Sequence, residues 1–404
     1  MQLSARFARA PQDAAAPAVV SRQPILDRSE RIVAFELLGP AADDSRAASA
    51  GVLAGALVDI GLPRLVGNRP AYIKVTRELL LAVRPLPLTP AQVVLELAAD
   101  QPADDLLALV VREARDAGFR IALHGFGTDT PALLELADRV KIDVATLSED
   151  AVAAAVELAR DRGLELIADG VQTREAYGVC RDLGFDAFQG RYFAEPVIVT
   201  GSSAPTYRLR ALSMLASGDA TSFEQLERMI AEDPGLSLKL VKLANSAYYS
   251  GRHPVGSIRQ ALMALGSIAV RRWATLLVLA GVHDRPGHLL EVGLLRARLC
   301  ELLAARAPGA EVDRAFTVGL FSVADALLGV RMSALLGELP FDRRTTDALA
   351  THEGPEGRLL AGVLAYERGD FDGCAHSGVG LLEIARAYRE ALDWTDGTLL
   401  QLSA

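Results

Sequence analysis

The sequence predicts an α/β half followed by an all-α half. Short β-like runs alternate with amphipathic helical stretches from about Val19 to Pro196, which is typical of a parallel sheet, either open or closed into a barrel. After about residue 206 the strand signal disappears, and helical periodicity continues to Ala404. The 404 residues are 50% hydrophobic and 23% charged, so the chain can build two globular cores and is not mainly disordered.

Short apolar runs bounded by turn residues predict the strands of the first half. They are Ile32–Leu37, Ala71–Val75, Val93–Leu97, Arg120–Leu123, Arg139–Ile142, Leu164–Ala168 and Ala187–Gln189. Between them, Ala103–Ala117 and Glu149–Arg160 carry apolar residues at helical spacing, and Gly163 follows the second stretch in a C-cap position.

The polar, Gly/Ser/Pro-containing segment Ile198–Thr206 is the best domain boundary. We therefore divide the chain into a flexible leader (residues 1–17), an α/β domain (18–198), a linker (199–206) and a helical domain (207–404).

Helix signals follow one another in the second half. Thr221–Glu224 has the composition of a capping box. Ser257 starts a helix that ends at Gly266, and Ser267 starts the next one. An amphipathic helix is expected at about Val379–Ala391, and the Trp394 that follows either packs back on the core or contacts a partner.

Charge and hydropathy exclude some classes of protein. The net charge of −9 argues against a broad nucleic-acid surface, so Arg271-Arg272-Trp273 is interpreted as part of a core helix with surface arginines and not as a recognition helix. No apolar run reaches the ~18 residues of a membrane span. The three cysteines suit neither a disulfide framework nor a zinc site, which favours the reducing cytoplasm.

Motifs along the first half occur in the order of a known family. They are FELLGP (Phe35–Pro40), YIKVT (Tyr72–Thr76), VLELAA (Val94–Ala99), IALHGFGTDTPALLEL (Ile121–Leu136), VKID (Val140–Asp143), LIADGVQT (Leu166–Thr173) and FQGRYFAEP (Phe188–Pro196). This series resembles EAL domains, the cyclic-di-GMP phosphodiesterases, and implies a TIM-like (β/α) barrel. The short intervals from Glu36 to Lys74 and from Asp143 to Asp169 predict that helices or loops have been trimmed from it.

The resemblance also implies two divalent metals in a cage of oxygen ligands, and this chain departs from that pattern. Glu36 and Glu96 are kept. The replacements are Lys74 for the asparagine ligand, Ala99 for the second acid of its strand, His124 and Gly125 for the aspartate pair, and Asp169 and Gln172 for two glutamates. We therefore expect no metal, no cofactor and no catalysis.

The remaining polar positions are vestigial candidates for ligand binding. They are Glu36, Glu96, Lys141, Asp143, Asp169 and Gln189. Lys141 could meet a phosphate of cyclic di-GMP, or it could pair with Glu36 or Glu96 inside the barrel mouth. Pro40 stands where the family carries a phosphate-clamping arginine, which opposes binding.

The second half resembles HDOD domains, helical relatives of the HD hydrolases. The resemblance covers Ala244–Leu276 and Ala315–Gly329, and Ala324-Asp325 stands where HD hydrolases carry a His-Asp doublet, so that metal site is expected to be missing. The literal doublet His283-Asp284 precedes Arg285-Pro286-Gly287 and is interpreted as part of a surface turn.

From about residue 19 onward the chain thus resembles the EAL–HDOD signalling proteins of bacteria. The resemblance implies a cytoplasmic, non-catalytic role, with the barrel as scaffold, the helical domain binding protein partners, and a homodimer as a further hypothesis. Two alternatives stay open, a cyclic-di-GMP sensor without hydrolysis and a metal-dependent phosphodiesterase with rewired ligands that recruits His124. Neither nucleic acid nor membrane is expected as a partner.

Overall fold

The computed structural model describes residues 19–40, 61–82, 88–99, 104–125, 131–193, 212, 222–231, 257–280, 287–328 and 331–403. The predicted leader, the predicted linker and His283-Asp284 lie outside these residues. Within them, no helix is long and apolar enough to cross a membrane.

The first half is a closed barrel of eight strands in sequential order. The strands are β1 (Ser21–Asp27), β2 (Ile32–Leu38), β3 (Ala71–Lys74), β4 (Val93–Ala98), β5 (Arg120–His124), β6 (Arg139–Asp143), β7 (Glu165–Asp169) and β8 (Ala187–Phe188). The predicted strands β2–β8 are confirmed to within one or two residues.

The first strand corrects the expectation of an entirely parallel sheet. β1 pairs antiparallel with both β2 and β8, whereas β2 through β8 are parallel neighbours. Only Arg28–Arg31 connects β1 to β2, and a parallel connection needs about a dozen residues or more. A hairpin is therefore the only pairing this short turn allows.

Helices connect the parallel strands within the described residues. They are α1 (Leu62–Val66), α2 (Arg77–Ala82), α3 (Asp105–Asp116), α4 (Pro131–Leu134), α5 (Glu149–Arg160) and α6 (Arg174–Leu183). The interval from Asp143 to Asp169 holds the complete α5, so the helix predicted there is confirmed. Most of the interval from Glu36 to Lys74 lies outside the described residues. The C-cap of α5 is Asp161, and Gly163 with φ 68° comes two residues later.

A separate layer of apolar side chains fills part of the barrel interior. Its members are Ile25, Ala34, Tyr72, Val94, Ala122, Ile167 and Ala187. The single large ring of Tyr72 lies among small and branched side chains, which is how a barrel of this size fills its interior. The barrel is therefore a packed core, and polar chemistry is confined to its ends.

The second half is helical throughout its described residues. Its α-helices are α7 (Phe223–Ala231), α8 (Ile258–Leu265), α9 (Ser267–Ala280), α10 (Gly287–Ala304), α11 (Val312–Phe321), α12 (Ala324–Leu328), α13 (Met332–Glu338), α14 (Arg343–Thr351), α15 (Gly354–Glu367) and α16 (Leu381–Ser403). The predicted boundaries at Ser257 and Gly266 are confirmed. The capping box lies one residue later than expected, because the Ser222 hydroxyl accepts from Gln225 N and the Gln225 side chain accepts from Ser222 N.

Both halves share one continuous cluster of buried apolar residues. Across their interface, Arg22 of β1 forms a buried ion pair of 2.9 Å with Glu291 of α10. The Tyr366 hydroxyl of α15 donates to the Val20 carbonyl at 3.0 Å. The helical half therefore packs directly on the β1 side of the barrel.

Candidate ligand site at the barrel mouth

The carboxyl ends of the parallel strands bring together all the predicted site residues except Asp143. Lys74 on β3 pairs in register with Glu96 on β4, and His124 on β5 pairs with Lys141 on β6. Since parallel strands end at the same edge of a barrel, these side chains meet at one mouth. We call this group the mouth cluster, with Glu36, Asp169 and Gln189 as its other members.

Lys141 is the centre of the mouth cluster. Its ammonium Nζ lies 2.7 Å from Glu36 Oε2, 3.2 Å from Glu96 Oε2 and 3.8 Å from Asp169 Oδ2, and its side chain is completely buried. Of the two interpretations open at the sequence level, the structure shows the pairing of Lys141 with Glu36 and Glu96.

Lys74 is a second ammonium in the same place, as its position at the family's asparagine ligand predicts, although it was not among the candidates for ligand binding. Its Nζ lies 2.9 Å from Glu36 Oε1 and 4.0 Å from Glu96 Oε1, while 48% of its side chain stays exposed. The YIKVT motif indicated this position, and the register of β3 with β4 places it beside Glu96.

Gln189 connects the mouth cluster to β1. Its amide Nε2 donates to Glu36 Oε2 at 2.6 Å and to Gln23 Oε1 at 2.8 Å. One amide nitrogen carries two hydrogens, so both bonds can form together. Gln23 was missed because the strand that carries it was missed.

His124 and Asp143, at the ends of β5 and β6, make different contacts. His124 Nε2 lies 3.2 Å from Asp169 Oδ2, which ties β5 to β7. Asp143 is not part of the mouth cluster. Its Oδ1 accepts from the backbone nitrogens of Ala145 and Thr146 at 2.9 and 3.3 Å, so it caps the loop that follows β6.

Burial and countercharge oppose each other in the mouth cluster. Burial alone would raise the pKa of Glu36, but the ammonium groups of Lys141 and Lys74 outweigh it and hold this pKa below its ordinary value. Burial would lower the pKa of Lys141, and the surrounding carboxylates raise it. The pKa of Glu96 is raised, since burial and the neighbouring Glu36 outweigh the two lysines.

The mouth cluster does not fit the two-metal centre implied by the family resemblance. A magnesium or calcium ion needs carboxylate oxygens at ~2.0–2.6 Å, and the oxygens of Glu36 already face both ammonium groups. Among the described residues, no group of three or more His, Cys, Asp or Glu side chains is placed to hold a metal ion. We therefore derive no chemical step through a metal.

Asp325 in the helical half marks the position of the missing His-Asp doublet. Its side chain is buried, and its Oδ1 accepts from Ala326 N at 2.8 Å. Burial raises the pKa of Asp325 to about 7, although the backbone bonds oppose this shift.

The basic and aromatic residues of the helical half are engaged in packing. Arg272 forms ion pairs with Glu301 and Asp313 and lies 4.3 Å above the Phe316 ring. Trp394 packs edge-on against Phe316 at a centroid distance of 6.2 Å. Of the alternatives for Trp394, the structure therefore shows packing on the core.

Comparison with known proteins agrees with this architecture. The EAL domain model matches residues 68–196, and the HDOD domain model matches residues 203–332. The cyclic di-GMP phosphodiesterase CdgJ of Vibrio cholerae is 30% identical over 399 residues, which cover 93% of this chain and 92% of that protein. The chain belongs to the EAL–HDOD family.

Other relatives of this EAL–HDOD protein are similar over different lengths. YuxH of Bacillus subtilis is 29% identical to this chain, and the aligned region covers 93% of this chain and 97% of YuxH. An EAL domain protein from Listeria monocytogenes is similar over 43% of this chain and 86% of its own, at 20% identity and a TM-score of 0.36. The structure of the PaMucR phosphodiesterase in complex with cyclic di-GMP is similar over 44% of this chain and 96% of its own, at 24% identity and a TM-score of 0.37.

Proposed function

We propose that this EAL–HDOD protein takes part in signal transduction without hydrolysing cyclic di-GMP. In this proposal the barrel is a scaffold and the helical half binds protein partners. The observation that carries it is the Lys74 ammonium, 2.9 Å from Glu36 and 4.0 Å from Glu96, at the position where the family resemblance places a neutral asparagine ligand.

The electrostatic argument is one of like charges. Two unit charges 4 Å apart interact by about 4 kcal/mol near a protein surface, and a divalent cation doubles that repulsion. An ion bound to Glu36 would have to displace Lys74 as well as compete with Lys141. The replacement of the aspartate pair by His124 and Gly125 removes the carboxylates that would compensate.

Two other functions remain as alternatives for this chain. Binding of cyclic di-GMP without hydrolysis is supported by Lys141 and Gln189, which match the family motifs. Phosphodiesterase activity is supported by the name of the relative CdgJ. The cytoplasmic location and the homodimer stay predictions, and the molar mass measured by light scattering at micromolar concentration tests the latter.

A turnover assay tests the proposal directly. The full chain is incubated with cyclic di-GMP and Mg²⁺ or Mn²⁺, the products are separated by chromatography, and binding is measured in parallel by calorimetry. We expect no hydrolysis. Metal-dependent turnover by the wild-type chain would overturn the proposal, and saturable binding without turnover would favour the sensor.

A variant that restores the family residues is the matched control. The triple substitution Lys74→Asn, His124→Asp and Gly125→Asp returns the carboxylates and removes the extra ammonium. Gly125 has φ 70°, a conformation that aspartate tolerates better than most residues, and a Cβ there would meet no atom of the described residues within 4 Å. We expect the triple variant, and not the wild type, to bind Mn²⁺ in calorimetry.

A further inference from the structure

A cavity that is partly open to solvent lies between the barrel and the helical half, outside the mouth cluster. Pro24 of β1 and Phe35 of β2 line it on the barrel side. Leu295 of α10, Leu364 of α15 and Tyr388 of α16 line it on the helical side. Cavities between domains are common sites for small ligands.

The inner charged groups of this interdomain cavity are already paired with one another. Arg22 bonds to Glu291 at 2.9 Å and lies 4.2 Å above the Phe35 ring. Arg296 bonds to Glu367 at 2.8 Å. The walls between these pairs are aliphatic and aromatic, so the interior suits an apolar body.

Two further arginines line the interdomain cavity beyond the inner pairs. They are Arg191 and Arg368. Arg368, at the end of α15, is exposed, and no ion pair of its side chain occurs within the described part of the chain. An anionic group at the rim would therefore be stabilised, while the apolar body of the same molecule lies inside.

We propose that the interdomain cavity binds a small carboxylate with an apolar, aromatic or branched aliphatic body. The apolar body packs against Phe35, Leu295 and Leu364, and the carboxylate faces Arg368. This site is separate from the mouth cluster and does not depend on whether cyclic di-GMP binds or is hydrolysed.

Such a ligand would hold the two halves together, because its contacts come from both. A molecule that binds only the docked arrangement stabilises that arrangement by mass action. β1 is a wall of the cavity and also carries Gln23, which bonds to Gln189 of the mouth cluster. The proposed ligand therefore acts on the strand that joins the barrel mouth to the helical half.

Calorimetry with 2-naphthoate as the probe tests this site on the full chain, without metal or cyclic di-GMP. We expect saturable binding with one site per chain and a rise in the unfolding temperature. The neutral analogue 2-naphthamide should bind at least several-fold more weakly. Absence of saturable 2-naphthoate binding up to millimolar concentration would overturn the proposal and leave the proposed function untouched.

Two variants and a control locate the binding. Leu364→Trp fills the cavity from a half-buried position and should abolish binding. Arg368→Gln keeps the cavity and should weaken 2-naphthoate several-fold, without changing the affinity for 2-naphthamide. Leu109→Trp, on the exposed face of α3 and outside the cavity, should bind like the wild type. Undiminished binding by both Leu364→Trp and Arg368→Gln would place the probe elsewhere and contradict the proposal.

Discussion

The barrel and the helical half neutralise their buried carboxyl groups in different ways. In the mouth cluster, Glu36 and Glu96 face the ammonium groups of two lysines. In α12, no cation of the described residues lies within ion-pair distance of Asp325, and burial raises its pKa to about 7. Two lysines supply the countercharge in the barrel, whereas in the helical half burial favours the protonated form of Asp325 and the more distant Arg296 opposes it.

This difference shows two ways in which a protein can accommodate buried acids. The countercharge of the two lysines lowers the pKa of Glu36 and keeps this acid ionised near neutrality, whereas the pKa of Glu96 is raised. A proton makes the stability depend on pH, because protonation is coupled to folding. The two positions should therefore respond differently to substitution, pH and salt.

The largest effect is expected for Lys141→Met. Removing a fully buried ammonium leaves Glu36 and Glu96 with too little countercharge, and breaking such a buried pair costs about 3–5 kcal/mol. The free energy of unfolding from urea titrations measures this loss. The same substitution combined with Glu36→Gln and Glu96→Gln should recover much of it, and a Lys141→Met chain as stable as the wild type would show that these acids are not ionised.

Asp325→Asn tests the helical half. The folded state holds the proton up to about pH 7, and the unfolded state releases it near the ordinary aspartate pKa of about 4. Wild-type stability due to this group is therefore complete below about pH 4 and is lost as pH rises toward 7.

The asparagine side chain of this variant cannot ionise, so the variant should gain stability relative to the wild type as pH rises, on the order of 2–4 kcal/mol by pH 8. Thermal unfolding of both chains at pH 5 and pH 8 measures this difference. Equal differences at the two pH values would mean that Asp325 is ionised in the folded state, as Glu36 is.

The smallest effect is expected for Lys74→Met, since half of this side chain is exposed. Exposed or partly exposed pairs contribute about 1 kcal/mol or less, and salt screens them. The cost in free energy of unfolding should shrink at high salt, whereas the cost of Lys141→Met should not. A Lys74→Met cost that salt leaves unchanged would place Lys74 with the buried pair.

Much of the barrel could be predicted because each parallel strand is a short apolar run between turn residues. β1 was missed since its sequence, SRQPILD, places Ser21 and Gln23 toward the polar mouth and Pro24 in the middle. A proline and alternating polar residues are not typical of a strand in the middle of a sheet. The partners of β1 are instead determined by the four-residue turn to β2 and by the closure of the barrel.

The site was predicted less completely than the fold. Motif order indicated Glu36, Lys74, Glu96 and Lys141, and the strand register then forces them together. That Asp143 turns back to cap its loop depends on a side-chain direction that spacing does not contain. Arg22 and Glu291 are 269 positions apart, so no local pattern could have paired them.

The buried pair between Arg22 and Glu291 has a practical consequence for anyone who wants to study the halves separately. Cutting the chain between residues 199 and 206 would leave Glu291 on an apolar surface of α10 without its arginine, and Tyr366 without the Val20 carbonyl. The isolated helical half should then associate with itself or unfold. We therefore expect the chain with both halves, and not either half alone, to be the unit that folds and can be labelled.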